Sequence, residues 1–180
     1  MKSIAILASG SGTNAENIIQ YFNRKGTAEV SVILSNNKNA KVLDRAINHK
    51  IPAFYFNRMA FNSNLVVSLL KNSGPDLIVL AGFLWKIPEN LIEAFPGKIV
   101  NIHPALLPKY GGKGMYGMHV HNAVITNKET ETGIMKHYSM KITMKAPSFF
   151  RQKQILPAKT PLMMLQAKYT NWNTSTFLRL

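Results

Sequence analysis

The feature that most constrains this chain is a short apolar run that breaks into a glycine-rich turn near its start. Residues 3–8 read Ser-Ile-Ala-Ile-Leu-Ala, and Ser9-Gly10-Ser11-Gly12-Thr13-Asn14 follows at once. A short apolar run bounded by a turn suits a buried strand. The glycines allow a tight turn, and Asn14 can cap a helix over residues 15–22. The same alternation continues along the chain. Strands fit residues 30–34, 53–56, 77–81 and 98–102, and helices fit 41–49, 62–71 and 88–94, the last starting near Pro88. Strands alternating with helices predict an α/β fold, a mostly parallel twisted sheet with helices on both faces. Ligands of such sheets bind beyond the carboxyl ends of the strands. Residues 9–14, 82–87 and 101–110 are the segments expected there.

Composition excludes several alternatives. A chain of 180 residues is one domain in length, and 46% hydrophobic with 17% charged residues excludes a disordered chain. No apolar run approaches the ~20 residues of a membrane helix. The apolar stretch at the start is shorter than the ~7–15 residues of a secretory h-region and runs into the glycine turn. The chain has no cysteine, hence no disulfide framework and no thiolate metal site. The expected location is cytoplasmic. The formal charge of +14 is unevenly spread. All eight acids and 15 of the 22 basic residues precede Ser139, whereas residues 139–180 carry seven basic residues and no acid. Such a segment reads either as a basic arm for nucleic acid or as sequence that selection for a fold did not shape.

Four segments carry possible chemistry. In the turn at residues 9–14, exposed backbone amides and the start of a helix favour an anion, although Ala15 and Glu16 stand where a dinucleotide fingerprint needs another glycine. One phosphate fits this turn better than a dinucleotide; the competing reading is an ordinary strand–helix turn. Asn101-Ile102-His103-Pro104 ends a strand, and period-two alternation puts Asn101 and His103 on one side. An amide and an imidazole there can donate to a developing oxyanion, and the imidazole can move a proton; alternatively His103 is a hydrogen-bonded structural residue. His119-Val120-His121 has a spacing that on a strand suits a metal, but no third ligand accompanies it, and the expectation is no metal. Residues 109–114 (Lys-Tyr-Gly-Gly-Lys-Gly) read as a lid or substrate loop or as plain surface, and residues 81–87 as a pocket for a flat heterocycle or as packing of Phe83 and Trp85.

Together these segments resemble the folate-dependent phosphoribosylglycinamide formyltransferases. The resemblance runs over residues 3–138 and rests on Ala-Ser-Gly-Ser-Gly-Thr-Asn at 8–14, Leu-Ala-Gly-Phe at 80–83 and Asn-Ile-His-Pro-Ala-Leu-Leu-Pro-Lys-Tyr at 101–110. His-Val-His-Asn-Ala-Val at 119–124 and Glu-Thr-Gly at 131–133 add to it. The stretch at 101–108 is shared by formyl-folate enzymes, including methionyl-tRNA formyltransferase; the glycine loop and the chain length point to the glycinamide ribonucleotide enzyme. The resemblance implies a Rossmann-like formyltransferase fold over residues 1–138. It implies that Gly12, Thr13 and Asn14 hold the ribonucleotide phosphate. Leu84, Trp85, Lys86 and Ile87 would hold the pterin, largely through backbone groups, with Asn101 beside them. Trp85 and Lys86 differ from the residues expected there. Arg58 aligns loosely with an arginine that meets the glutamate tail of the folate. Asn101 and His103 match the catalytic pair. The implied co-substrate is 10-formyltetrahydrofolate, the acceptor glycinamide ribonucleotide, and no metal takes part. The protein would be a monomer or homodimer without a membrane partner.

The family also carries an aspartate, in an Asp-Glu-Gly or similar motif, that raises the pKa of the catalytic histidine. This chain has no Asp or Glu after Glu131. Codon degeneracy gives a reason. Read two bases later, codons for residues 141–146 (Lys-Ile-Thr-Met-Lys-Ala) permit Asn-Tyr-Asp-Glu-Gly, with the Glu forced by Met144 and Lys145. The codons after them permit Ala-Ile-Ile-Phe-Gln. In the same frame residues 168–177 permit Val-His-Glu-Leu-Glu-Tyr-Glu-His-Phe-Pro, with the second Glu forced by Trp172 and Asn173, and this resembles the family's terminal helix. The sequence from about Ser139 onward therefore reads as out of frame. Residues 139–180 are expected to be an atypical basic tail with the last strands and terminal helix missing or disordered, and formyltransferase activity of the chain as written to be impaired. A hydrolase or methionyl-tRNA formyltransferase would carry an extra domain. A nucleotide- or nucleic-acid-binding protein using the basic tail is the alternative from another class, although the tail carries no known nucleic-acid motif.

Overall fold

The computed structural model describes residues 1–103, 105–106, 109–111, 118–138 and 148–156. Strand β1 (Lys2–Ala8) runs parallel between β2 (Ala28–Ser35) and β4 (Leu77–Leu80). β3 (Ala53–Tyr55) extends the parallel sheet beyond β2, and β5 (Ile99–His103) extends it beyond β4. β6 (Glu131–Tyr138) then pairs antiparallel with β5, and β7 (Ser148–Ile155) antiparallel with β6, giving the order β3-β2-β1-β4-β5-β6-β7.

The unbroken apolar character of β1 follows from burial on both faces. On one face Ile4, Ile6 and Ala8 pack with Ala15, Ile18, Ile19 and Phe22 of α1 (Thr13–Lys25) and with Val42 and Ala46 of α2 (Lys41–Asn48). Val120 and Val124 of α6 (Met118–Thr126) join this layer. On the other face Ala5 and Leu7 meet Val66, Val67 and Leu70 of α4 (Leu65–Ser73) and Leu91 of α5 (Glu89–Ala94). The expected α/β architecture, a mostly parallel sheet with helices on both faces, is therefore present. Among the described residues no helix is long and apolar enough to cross a membrane.

Several element boundaries differ from those expected. The helix placed over residues 62–71 is two helices, α3 (Arg58–Asn62) and α4. Asn57 caps α3 by accepting from the Ala60 N–H at 2.9 Å, and the Ser63 hydroxyl accepts from the Leu65 N–H at 3.2 Å as α4 begins. Asn57 thus starts α3, and Ser63, whose hydroxyl also donates to the Ala60 carbonyl at 3.0 Å, closes α3 and opens α4. The first helix begins at Thr13, and Gly12, not Asn14, occupies its N-cap with φ +73°. His119 and His121 lie on α6 and not on a strand.

The expectation that the last strands are missing does not hold for the strands. β6 forms, and β7 forms inside the segment expected to be an atypical tail. Strand pairing is made by the backbone and is open to any sequence without proline in the ladder, and residues 148–155 bring Phe149, Phe150 and Ile155, which suit a pleated surface. Beyond the strand, the Leu156 N–H donates to the Thr130 carbonyl at 2.8 Å, and Leu156 is buried in the α1–α2 layer. Lys153 pairs across the ladder with Glu131 at 3.1 Å. The terminal helix expected for the family lies outside the described residues.

Candidate active site

The turn after β1 and the turn after β4 are bolted together. Ser9 is buried; its N–H donates to the Gly82 carbonyl at 3.2 Å and its hydroxyl accepts from the Leu84 N–H at 2.9 Å. A serine at this point is therefore more than a turn residue: it sets the distance between two of the three strand ends expected to meet at the site.

The carbonyls of the glycine loop are all engaged. Gly10 accepts from the Val42 N–H at 3.1 Å, Ser11 from Arg45 Nε at 2.8 Å and Gly12 from the Glu16 N–H at 2.9 Å. In a trans peptide the next N–H points opposite to the carbonyl. The amides of Ser11, Gly12 and Thr13 therefore face away from those acceptor contacts, an arrangement suited to an anion. Arg45 is held in turn by an ion pair with Glu16, whose other oxygen lies 3.5 Å from His49 Nε2. Arg45 and Glu16 were not legible as site residues; they are distant in sequence from the loop carbonyl they hold.

Asn101 and His103 stand on one side of β5, about 6.6 Å apart along the strand as two-residue spacing requires. Both are half-buried, and both have interaction partners. β5 places Asn101 beside Leu80 of β4 and opposite His137 of β6. His103 Nε2 lies 2.7 Å from the carbonyl oxygen of Tyr110. Tyr110 is fastened in place: its hydroxyl donates to Glu129 at 2.8 Å and accepts from Asn127 Nδ2 at 2.9 Å. Lys109 adds an ion pair to Glu129 at 3.0 Å. The Tyr110 hydroxyl and Lys109 hold the Glu129 carboxyl below its ordinary range, and burial pushes the Tyr110 hydroxyl up. Residues 109–111 of the expected flexible loop are thus anchored; residues 112–114 lie outside the described residues, as do Pro104 and residues 107–108.

The segment after β4 presents its residues unequally. Leu84 and Lys86 are exposed, Trp85 is half-buried and Ile87 is buried. Trp85 and Phe83 belong to an aromatic cluster with Phe56 and Phe61, with centroids 5.0–6.4 Å apart. Phe83 and Trp85 therefore pack against the rings of Phe56 and Phe61. The structure also brings Arg58 to this segment: its guanidinium carbon lies 3.7 Å from the centre of the Trp85 ring, a cation–π contact.

His119 and His121 do not point to one common position. A two-residue step on a helix turns the side chains roughly 200° apart, so the pair cannot share a metal as it would on a strand. His119 is exposed, and burial pushes His121 down to about 4. Among the described residues no group of three possible metal ligands occurs.

Residues 2–142 match the Formyl transferase family model, a span that contains the glycine loop, the β4 turn and both residues on β5. The chain belongs to the formyl transferase family. Within that family it is 34% identical over 144 residues to the chloroplastic phosphoribosylglycinamide formyltransferase of Arabidopsis thaliana, covering 76% of this chain and 49% of the relative. It is 40% identical over 122 residues to the phosphoribosylglycinamide formyltransferase of Haemophilus influenzae, covering 64% of this chain and 58% of that one. The chain thus spans about half the length of these curated relatives. The crystal structure of phosphoribosylglycinamide formyltransferase from Bacillus halodurans superposes with a TM-score of 0.85 at 32% identity, over 98% of this chain and 91% of that one. Glycinamide ribonucleotide transformylase 1 from Geobacillus kaustophilus gives 0.87 at 30% identity, over 98% and 95%.

Proposed function

We propose that this formyl transferase family member is built to transfer a formyl group from 10-formyltetrahydrofolate to the amine of glycinamide ribonucleotide in purine synthesis. The observation that carries the reading is the joining of the glycine loop to the β4 turn through Ser9, beside the β5 end that bears Asn101 and His103. Gly12, Thr13 and Asn14 receive the ribonucleotide phosphate on the loop amides. Leu84 to Ile87 and Asn101 receive the pterin, and Arg58, parked on Trp85, meets the glutamate tail. Among the described residues no carboxylate lies within ion-pair distance of Arg58, which leaves its charge for a ligand.

In the reaction the glycinamide nitrogen attacks the formyl carbon. Asn101 and protonated His103 donate hydrogen bonds to the oxyanion that develops on the formyl oxygen. His103 passes a proton to the leaving folate nitrogen, the carbon–nitrogen bond to folate breaks, and the attacking amine ends as a formamide after giving its own proton to water, from which His103 is reprotonated. No metal is required for any of these steps.

Residues 1–138 form the formyltransferase domain in this reading, and the chain from about Ser139 is out of frame. The family match ending at residue 142 supports that boundary. The family's aspartate is absent from the sequence as written, so turnover is impaired while binding is retained. The basic tail is a consequence of the shifted frame and not a nucleic-acid site; the relatives named above are formyltransferases. A monomer or homodimer in the cytoplasm goes with this reading, although the Arabidopsis relative is chloroplastic.

The test is ligand-induced stabilisation. Glycinamide ribonucleotide at about 100 times its dissociation constant adds roughly 2.7 kcal/mol to stability, which a thermal melt resolves as a rise in Tm. The same rise is expected from a non-reactive 10-formyltetrahydrofolate analogue. A melting curve that neither ligand moves, at millimolar concentration, removes this reading.

A further inference from the structure

Tyr110 has φ +55°, a left-handed conformation that residues with a side chain rarely adopt. Such strain persists only where the surroundings impose it, and here they are on view. The phenol is gripped from both sides, donating to Glu129 at 2.8 Å and accepting from Asn127 at 2.9 Å. Lys109, next in the chain, holds the same carboxylate with both oxygens near 3 Å of its ammonium. The outcome of the strained backbone is the position of one atom: the Tyr110 carbonyl oxygen, 2.7 Å from His103 Nε2. A carbonyl oxygen can only accept, so Nε2 must carry the hydrogen. The second ring nitrogen, Nδ1, is then the one that gains and loses a proton.

We propose that Tyr110, clamped by Glu129 and Asn127, is a positioning residue that commits His103 Nε2–H to a backbone carbonyl and so fixes the tautomer and ring orientation of the imidazole. The proposal rests on the formyltransferase reading only for the identity of the reactants; the tautomer and its cause are properties of the protein alone. It also gives the imidazole a fixed partner from this chain's own backbone, whereas the family's aspartate is absent from the sequence.

Histidine side-chain ¹⁵N–¹H spectra of the full chain test this without any substrate. His103 is assigned by its loss in His103→Asn. Above its titration, His103 is expected to show a hydrogen on Nε2 that exchanges slowly enough with water to be seen. Tyr110→Phe removes both hydrogen bonds of the phenol, and Glu129→Leu removes the acceptor of its hydroxyl at nearly unchanged size. Each is expected to speed exchange of that hydrogen by about tenfold, the scale of one ordinary net hydrogen bond, while the backbone amide spectrum stays folded. A neutral His103 with its hydrogen on Nδ1, or exchange unchanged in both folded variants, overturns the proposal. If instead the Nε2–H behaviour is found but neither substrate binds, the positioning role stands and the formyltransferase reading falls.

Discussion

His121 shows how a residue with an obvious reading from sequence takes a different role in the fold. In sequence it belongs to a His-Val-His motif; in the fold it is 5% exposed on α6, and burial lowers its pKa from 6.5 to about 4. Burial disfavours the charged form, so the unfolded chain binds this proton more readily than the native one. Stability from this group is therefore full above pH 6.5 and is lost as pH falls toward 4, by roughly 3 kcal/mol if the group acts alone. Urea unfolding at pH 7 and pH 4.5 reads this loss, and His121→Gln should flatten the difference. An equal fall in the variant would assign the acid sensitivity elsewhere. The motif was legible but its conformation was not, because a two-residue spacing has meaning only once helix or strand is known. The clamp on His103 was legible in neither sense. Tyr110 and Glu129 are 19 positions apart, and nothing local in either residue announces the other.

At the scale of elements, sequence reading succeeded where burial fixes the pattern and failed where single side chains decide. β1 and β4 were placed to within a residue or so because both faces are covered. The α3–α4 break is not legible because it depends on one side chain, Ser63, whose hydroxyl donates to the Ala60 carbonyl and accepts from the Leu65 N–H. β7 is not legible in an acid-free segment because a ladder asks little of side chains. The glycine loop is legible as a turn, but its cap falls on Gly12 and not on Asn14. The reason is steric. At φ +73° an added Cβ on Gly12 would lie 2.5 Å from Val42 Cγ2 and 2.7 Å from its Cα, so α2 closes against the loop where only glycine fits. Gly12→Ala combines left-handed strain with overpacking and should lose roughly 2–4 kcal/mol of stability. Gly26→Ala provides the comparison, with φ +67° and nothing within 4 Å of the added carbon. It should lose only about 1–2 kcal/mol. Equal losses in chemical denaturation would mean that the approach of Val42 contributes nothing.

At the scale of the whole molecule, the sequence and the fold disagree about where the protein stops being itself. The family match ends at residue 142, the last acid is Glu131, and yet the sheet continues into β7 at residues 148–155. Backbone pairing explains how the sheet can continue through a segment without acids; it does not supply side-chain chemistry. The shifted frame would place an aspartate and Glu-Gly among residues 141–146, just before that strand. An aspartate beside a histidine favours its protonated form, which in the proposed reaction is the form that stabilises the oxyanion and delivers the proton. The two versions of the chain should therefore share ligand binding and differ in chemistry. A protein made from the gene with the frame restored at codon 139 should exceed the chain as written by at least about 10²-fold in kcat for formyl transfer, with KM for glycinamide ribonucleotide within severalfold. The pH profile separates the cause from a general gain in stability: with the aspartate present, the activity carried by protonated His103 should persist to higher pH. Equal kcat values in the two proteins would mean that the missing aspartate is not what limits this chain, and would withdraw the claim that the shifted frame matters for function.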